Sequence, residues 1–147
     1  MADDDNDRSM SSPVGTWELA SFTSRLGDGH SIEPWPKAVG RMTYDDCGNV
    51  TGLLMSGRRN EADGRDSPPA AQDEFSAYFG TYQVDSTHGV ITHEVSASLS
   101  GKRASKILRR SFELIGDTLV LGFPTIRDGI PMTNRLVWKR IGVVRKS

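Results

Sequence analysis

The chain has 147 residues, 36% of them hydrophobic, and a formal net charge of −1 at pH 7. This length fits one domain that buries roughly 70% of its unfolded surface. The near-neutral charge argues against a general affinity for nucleic acid or anionic lipid, and no apolar run reaches membrane-spanning length.

Residues 1–13 are polar and charged, which predicts a disordered lead-in before a domain at residues 14–142. Period-two alternation predicts eight strands within this domain, and turn residues separate most of them. The predicted strands cover residues 14–25, 39–45, 50–55, 81–85, 90–99, 104–114, 118–123 and 132–141. Residues 143–147 form a basic tail that we expect to fray.

Three segments between the strands have other patterns. Glu33-Pro34-Trp35-Pro36 cannot be regular strand, because two prolines remove backbone donors. Residues 56–66 are glycine-rich and charged, which predicts a mobile loop. Ser67-Pro68-Pro69 has the pattern of a helix start. Apolar residues then recur at the spacing of one helix face up to Gly80, which predicts a short helix carrying Ala71, Phe75, Tyr78 and Phe79.

The order of these elements predicts an all-β fold. We expect an eight-stranded antiparallel up-and-down barrel with the short helix inserted between the third and fourth strands. The first and last strands carry Trp17 and Trp138, which would fill the core of a barrel closed between them. A barrel of about eight strands has room inside for one small ligand.

Alternation along each strand also predicts which side chains point into the barrel. The apolar inward set is Trp17, Leu19, Met42, Val84, Val95, Ala97, Leu99, Leu108, Phe112, Leu114, Leu136 and Trp138. The polar inward set is Tyr44, Tyr82, His93, Arg110 and Asn134. A mostly apolar cavity with a few polar groups is typical of a small-molecule site.

Three inward polar residues are candidate catalytic groups. His93 suits general acid–base work, Arg110 would bind a carboxylate or an enolate-like oxygen, and Tyr82 would donate to a substrate carbonyl. Each also has a structural interpretation: a hydrogen-bonded core histidine, an arginine paired with an acid or stacked over an indole, and a core tyrosine. The predicted ligand-binding residues are Trp17, Trp35, Met42, Tyr44, Tyr82, Val95, Leu108, Asn134, Leu136 and Trp138.

Other kinds of site are not predicted. His30, His88 and His93 lack metal-ligand spacing, and no phosphate-binding loop, nucleophile elbow or dinucleotide motif is present. We therefore expect no metal and no cofactor. The lysines and arginines of residues 102–110 split between two strand faces, so we interpret them as a solvated surface rather than a nucleic-acid site.

Several motifs, in chain order, resemble the bacterial and fungal lipocalin-like domain family. They are Val14-Gly15-Thr16-Trp17-Glu18-Leu19, Gly40-Arg41-Met42-Thr43-Tyr44, Tyr78-Phe79-Gly80-Thr81-Tyr82, Val90-Ile91-Thr92-His93 and Arg135-Leu136-Val137-Trp138. The resemblance implies a calycin-type barrel that holds a small apolar molecule. It does not imply a reaction.

Three functional hypotheses remain open. The first is binding of a small, largely apolar organic molecule in the barrel. The second is a cofactor-free cyclase, isomerase or lyase of specialised metabolism, which would act on a molecule held there. The third is a barrel filled by its own side chains, with an interaction role.

The predicted partner is accordingly a small organic ligand or substrate, with no nucleic acid and no membrane. Contacts between the edges or mouths of two barrels would make a homodimer. The single cysteine, Cys47, allows no internal disulfide, and the acidic N-terminus lacks the apolar segment of a signal peptide, so we expect a cytoplasmic protein.

Overall fold

The computed structural model describes residues 12–58, 74–100 and 106–142. These contain nine strands: β1 Gly15–Leu26, β2 Ser31–Ile32, β3 Val39–Tyr44, β4 Asn49–Met55, β5 Phe75–Asp85, β6 Val90–Ser98, β7 Ile107–Ile115, β8 Thr118–Arg127 and β9 Ile130–Ile141. All pairings are antiparallel, and β1 also pairs with β9. This pairing closes a barrel of eight strands, with the two-residue β2 alongside the end of β1. The predicted up-and-down barrel is confirmed.

The predicted helix is wrong where the structure describes it. β5 is one continuous strand, paired with β4 on one side and β6 on the other. Three of its four aromatic residues, Phe75, Tyr78 and Phe79, match a helical spacing, but aromatics also favour strands, and two neighbouring strands satisfy its backbone groups. Residues 67–73 of the predicted helix and residues 59–66 of the predicted loop lie outside the described residues.

Bulges in β1 and β6 reverse the direction of the side chains that follow them. In β1, Leu19 lies opposite Trp138 and Ser21 opposite Val137, so Ala20 is the extra residue. Phe22 and Ser24 consequently turn into the barrel. A bulge shifts the inward–outward alternation by one residue, and composition alone gives little warning of it.

The β6 bulge makes two of the predicted inward positions wrong. Val95 lies opposite Gly80 and Ala97 opposite Phe79, so Ser96 is the extra residue. Phe79 is exposed, and Ala97 shares its face of the sheet. Leu99 is 73% exposed.

Gly80 allows the two strands to approach closely at this bulge. A Cβ on Gly80 would lie 1.9 Å from the Glu94 carbonyl oxygen, which is backbone and cannot rotate away. We expect Gly80→Ala to lower the free energy of unfolding by about 3 kcal/mol in urea titrations. Gly27→Ala is the matched control, because a Cβ there would meet nothing within 4 Å. Equal stability of Gly80→Ala and the wild type would contradict the bulge.

Side chains fill one half of the barrel interior. Trp17, Tyr44, Ile91 and Leu119 have no exposed surface, and Val50 is 1% exposed. Trp17 Nε1 donates to the Pro13 carbonyl at 2.8 Å, so this part of the predicted lead-in packs against the barrel. Residues 1–11 and the predicted tail, 143–147, lie outside the described residues.

Arg140 closes this filled half of the barrel over Trp17. Its guanidinium carbon lies 4.4 Å from the centroid of the Trp17 ring. The same guanidinium donates to the backbone carbonyls of Val14 and Ser12 and lies 3.4 Å from an Asp117 carboxylate oxygen. The arginine stacked over an indole is therefore Arg140, and not Arg110 as in the structural alternative considered from sequence.

No helix within the described ranges is long and apolar enough to cross a membrane.

Candidate functional site

A cavity of about 290 Å³ lies in the other half of the barrel. This volume is at the lower end of the range of small-molecule pockets. Each of the eight barrel strands contributes to its lining, as does the Pro34-Trp35 segment. The apolar part of the lining includes Phe22, Pro34, Trp35, Met42, Leu53, Leu54, Leu121, Phe123, Met132, Leu136 and Trp138.

The structure places some of the predicted site residues around this cavity and others away from it. Those that line it are Trp35, Met42, His93, Arg110, Asn134, Leu136 and Trp138. The others do not line it: Trp17, Tyr44, Tyr82, Val95 and Leu108. Trp17 belongs to the core cluster of the filled half, and Val95 is 1% exposed but is not a member of that cluster.

Tyr82 lies outside the cavity, and its side chain contacts a neighbouring turn. Its hydroxyl donates to the carbonyl of Asp45 at 2.6 Å. Its ring packs edge-on against Tyr44, with centroids 4.8 Å apart. The Asp45 carboxylate in turn accepts from the backbone amides of Cys47 and Asn49, which fixes the hairpin between β3 and β4. This geometry gives Tyr82 a structural contact rather than a place beside the cavity.

His93 is held between two tyrosine hydroxyls. Tyr44 Oη lies 2.6 Å from its Nε2, and Tyr78 Oη lies 2.7 Å from its Nδ1. The histidine is 1% exposed and Tyr44 is not exposed at all. Burial, and then the charge of Arg110, lowers the pKa of His93 to about 3, so the imidazole is neutral near pH 7. Burial raises the pKa of Tyr44 well above its usual value, so its phenol stays protonated.

Arg110 brings a positive charge to the same region. It faces inward from β7, and its guanidinium carbon stacks 3.7 Å from the centroid of Phe123. Arg127 also contributes to the lining. Among the described residues that line the cavity there is no Asp or Glu. Among the described residues, the lining is therefore mainly apolar, with Arg110 and Arg127 as its charged side chains apart from His93, which is neutral.

Asn134 lines the cavity with its amide already engaged. Its Oδ1 accepts from Ser24 Oγ at 2.5 Å, and its Nδ2 donates to Thr125 Oγ1 at 2.8 Å and to the Phe123 carbonyl at 3.3 Å. These bonds tie β9 to β1 and β8 beside the cavity. They leave the amide little capacity for a ligand.

Trp35 and Phe22 form an aromatic pair on the cavity wall. Their ring centroids are 5.5 Å apart with the planes at 77°, an edge-to-face contact. Both side chains are half-buried, and both line the cavity. The Pro34-Trp35-Pro36 segment thus places an aromatic ring against the barrel.

Sequence reasoning missed Tyr78 as a site residue because it assigned that position to a helix. It missed Phe22 because alternation continued past the bulge at Ala20. A signal for Tyr78 existed: Phe75-Ser76-Ala77-Tyr78-Phe79 is as compatible with a strand as with a helix and leads directly into a predicted strand.

Within the described ranges, no group of three or more His, Cys, Asp or Glu residues is placed to hold a metal ion.

Comparison with known proteins agrees with this architecture. The model of the lipocalin-like domain family matches residues 14–141, which include all nine strands. The chain belongs to the lipocalin-like domain family. No curated protein matches it. As in other lipocalin-like domains, the general expectation for this barrel is that it binds a small ligand inside.

Proposed function

We propose that this lipocalin-like domain binds a small, largely apolar organic molecule in the barrel cavity. The observation that carries the proposal is the cavity itself: a space of about 290 Å³ with a mainly aliphatic and aromatic lining. A few polar groups border an otherwise apolar surface, which is the usual form of a small-molecule site.

The apolar lining suits a flat or ring-containing molecule. Phe22, Trp35 and Phe123 offer ring faces and edges, while Met42 and Met132 adapt to irregular shapes. Transfer of apolar ligand surface into this space would supply most of the affinity, at about 25 cal/mol per Å². The filled-barrel hypothesis accounts for the half of the interior around Trp17 and leaves the cavity unexplained.

Titration with the fluorescent hydrocarbon-like amine N-phenyl-1-naphthylamine tests this proposal. Its emission rises when it enters an apolar site. Ser76→Phe adds a ring at a buried lining position and should weaken binding about tenfold or more. Ala97→Phe is the matched control, since Ala97 faces outward beside Phe79, and should bind like the wild type. No saturable binding, or equal loss in both variants, would contradict binding in the cavity.

A second candidate, cofactor-free cyclisation or isomerisation, is favoured by Arg110 and by the Tyr78–His93 hydrogen bond at the cavity wall. Such groups would stabilise negative charge that develops on a carbonyl oxygen. His93 would act through Tyr78, because both ring nitrogens already contact tyrosines.

Native mass spectrometry of protein purified from its own host separates a carrier from an enzyme. A carrier releases the molecule it bound with its mass and structure unchanged. An enzyme converts the recovered precursor on incubation, and Arg110→Met then lowers the rate more than the binding.

A further inference from the structure

We infer that the outer face of strands β3–β6 packs against the same face of a second copy of the chain. The interface is isologous, which means that one patch serves both copies. This inference concerns the outside of the barrel, so it does not depend on ligand binding in the cavity. Its basis is the contrast between this face and the rest of the barrel surface.

A set of apolar side chains lies on the outside of these four strands. We call it the outer patch, and its members are Val39, Leu53, Ala77, Phe79, Ala97 and, directly after β6, Leu99. Leu53 is 46% exposed, Phe79 55% and Leu99 73%. Neighbouring exposed apolar side chains on a soluble protein mark a surface that contacts something else.

The strand register places members of the outer patch side by side. Phe79 lies opposite Ala97, and Leu53 lies opposite Ala77. The backbone amide of Leu99 donates to the Ala77 carbonyl at 2.8 Å, which keeps Leu99 next to β5. The exposed Phe79 ring therefore stands beside two alanines, whose short side chains leave shallow positions. A surface with a projection next to shallow positions can interlock with its own copy.

The outside of the barrel around β7 and β9 has the opposite character. Arg109 and Glu113 on β7 are exposed, as are Arg135 and Lys139 on β9. Charged side chains are typical of the face that an antiparallel sheet presents to water. The outer patch contains none, so it differs from an ordinary solvated sheet face.

The segments that connect these strands lack the residues to cover the outer patch. Residues 59–73 lead from β4 to β5, and residues 101–105 lead from β6 to β7. Apart from glycine, alanine and proline, every residue in them is polar or charged. Shielding Phe79, Leu53 and Leu99 from water requires large apolar side chains on the other side. We therefore assign the cover to another chain.

The charges at the rim of the outer patch suit a second copy. On one side Arg41 lies opposite Leu53 and is paired across the strands with Glu18. On the other side lie Glu94 on β6 and Arg109 on β7. Each side thus carries one acid and one base, so two copies can place unlike charges together. A nucleic acid or an anionic membrane would meet no field of one sign here.

The shape of the face and the net charge agree with this choice. Two copies of one sheet have the same twist, which is the condition for face-to-face packing of sheets at about −30°. A net charge of −1 per chain produces little repulsion between copies.

Sedimentation-velocity ultracentrifugation of the full chain over a range of concentrations tests the inference. We expect a monomer–dimer equilibrium with a dissociation constant of about 100 μM or lower. Phe79→Glu should raise this constant about tenfold or more, because it places a charge in the apolar centre of the interface. Ile115→Glu is the matched control: Ile115 is 70% exposed on β7, outside the outer patch, and the change should leave the constant as in the wild type.

Leu99→Glu repeats the test at a second exposed position, and circular dichroism checks that each variant is folded. Weaker association of Phe79→Glu and Leu99→Glu, with Ile115→Glu unchanged, supports the inference. A wild type that stays monomeric up to about 1 mM overturns it. A dimer that folded Phe79→Glu and Leu99→Glu leave intact, or that Ile115→Glu weakens equally, overturns it as well, because the interface then lies elsewhere.

Discussion

Trp17→Ala should lower the free energy of unfolding by about 3–5 kcal/mol, the loss that accompanies truncation of a buried tryptophan. The Trp17 side chain is fully buried in the filled half of the barrel, among core residues from several strands. Its indole also contacts Pro13, which precedes β1, and Arg140 on β9. Nε1 donates to the Pro13 carbonyl, and Arg140 stacks over the ring. Alanine would leave a void, an unpaired carbonyl and an arginine without its aromatic surface.

Urea unfolding followed by circular dichroism measures this loss. Trp35→Ala is the matched control, because that ring is half-buried and lies on the cavity wall rather than in the core. We expect Trp35→Ala to cost less than half as much and to weaken probe binding instead. If Trp17→Ala lowered the free energy of unfolding by less than about 1 kcal/mol, the result would contradict a central role for Trp17 in the packing of the filled half of the barrel.

Acidification from pH 6 to pH 4.5 should destabilise the protein by about 1 kcal/mol per pH unit through His93 alone. In the folded state, the pKa of this histidine is lowered from 6.5 to about 3 by burial and by Arg110. The unfolded chain therefore takes up a proton in this range and the folded chain does not, so stability is lost as pH falls. Tyr44, which contacts the ring, stays protonated in this range because burial raises its pKa well above the usual value.

The comparison of wild type with His93→Gln isolates this effect, since other groups titrate equally in both proteins. We expect the wild-type free energy of unfolding to decline more steeply with falling pH than that of His93→Gln. His30→Gln serves as the control, because His30 is exposed and pairs with Asp28 at the surface. Parallel pH profiles for the wild type and His93→Gln would mean that His93 is not buried in its neutral form.

The barrel was predictable because an antiparallel sheet with one face inside imposes a period of two on its sequence. Trp17, Met42, Tyr44 and Leu136 all follow it, and they point inward. The helix was wrong because the spacing of Phe75, Tyr78 and Phe79 fits one face of a helix, whereas in β5 Tyr78 points inward and Phe79 outward. In so short a segment, hydrogen bonding to β4 and β6 decides between helix and strand, and the pairing residues lie elsewhere in the sequence.

The cavity was less predictable because it depends on register. The extra residue at Ala20 brings Phe22 and Ser24 inward, and the one at Ser96 turns Ala97 and Leu99 outward. The amino-acid composition around Ala20 and Ser96 does not predict either bulge.

Arginine placement shows the same dependence on tertiary structure. Alternation predicts an inward Arg110, and Arg140 is not among the predicted inward residues. Arg110 lies over Phe123 beside the cavity, and Arg140 lies over Trp17 at the closed end. The barrel closure between β1 and β9 decides which arginine covers the tryptophan.

Methionine-methyl NMR with N-phenyl-1-naphthylamine tests binding inside the barrel most directly. The chain has five methionines, of which Met42 and Met132 line the cavity, while Met55 lies on β4 outside the lining. Binding in the cavity predicts that ring currents from the probe shift the Met42 and Met132 methyl signals and leave Met55 in place. A probe that leaves Met42 and Met132 unchanged, or shifts Met55 alone, would contradict a ligand site inside the barrel.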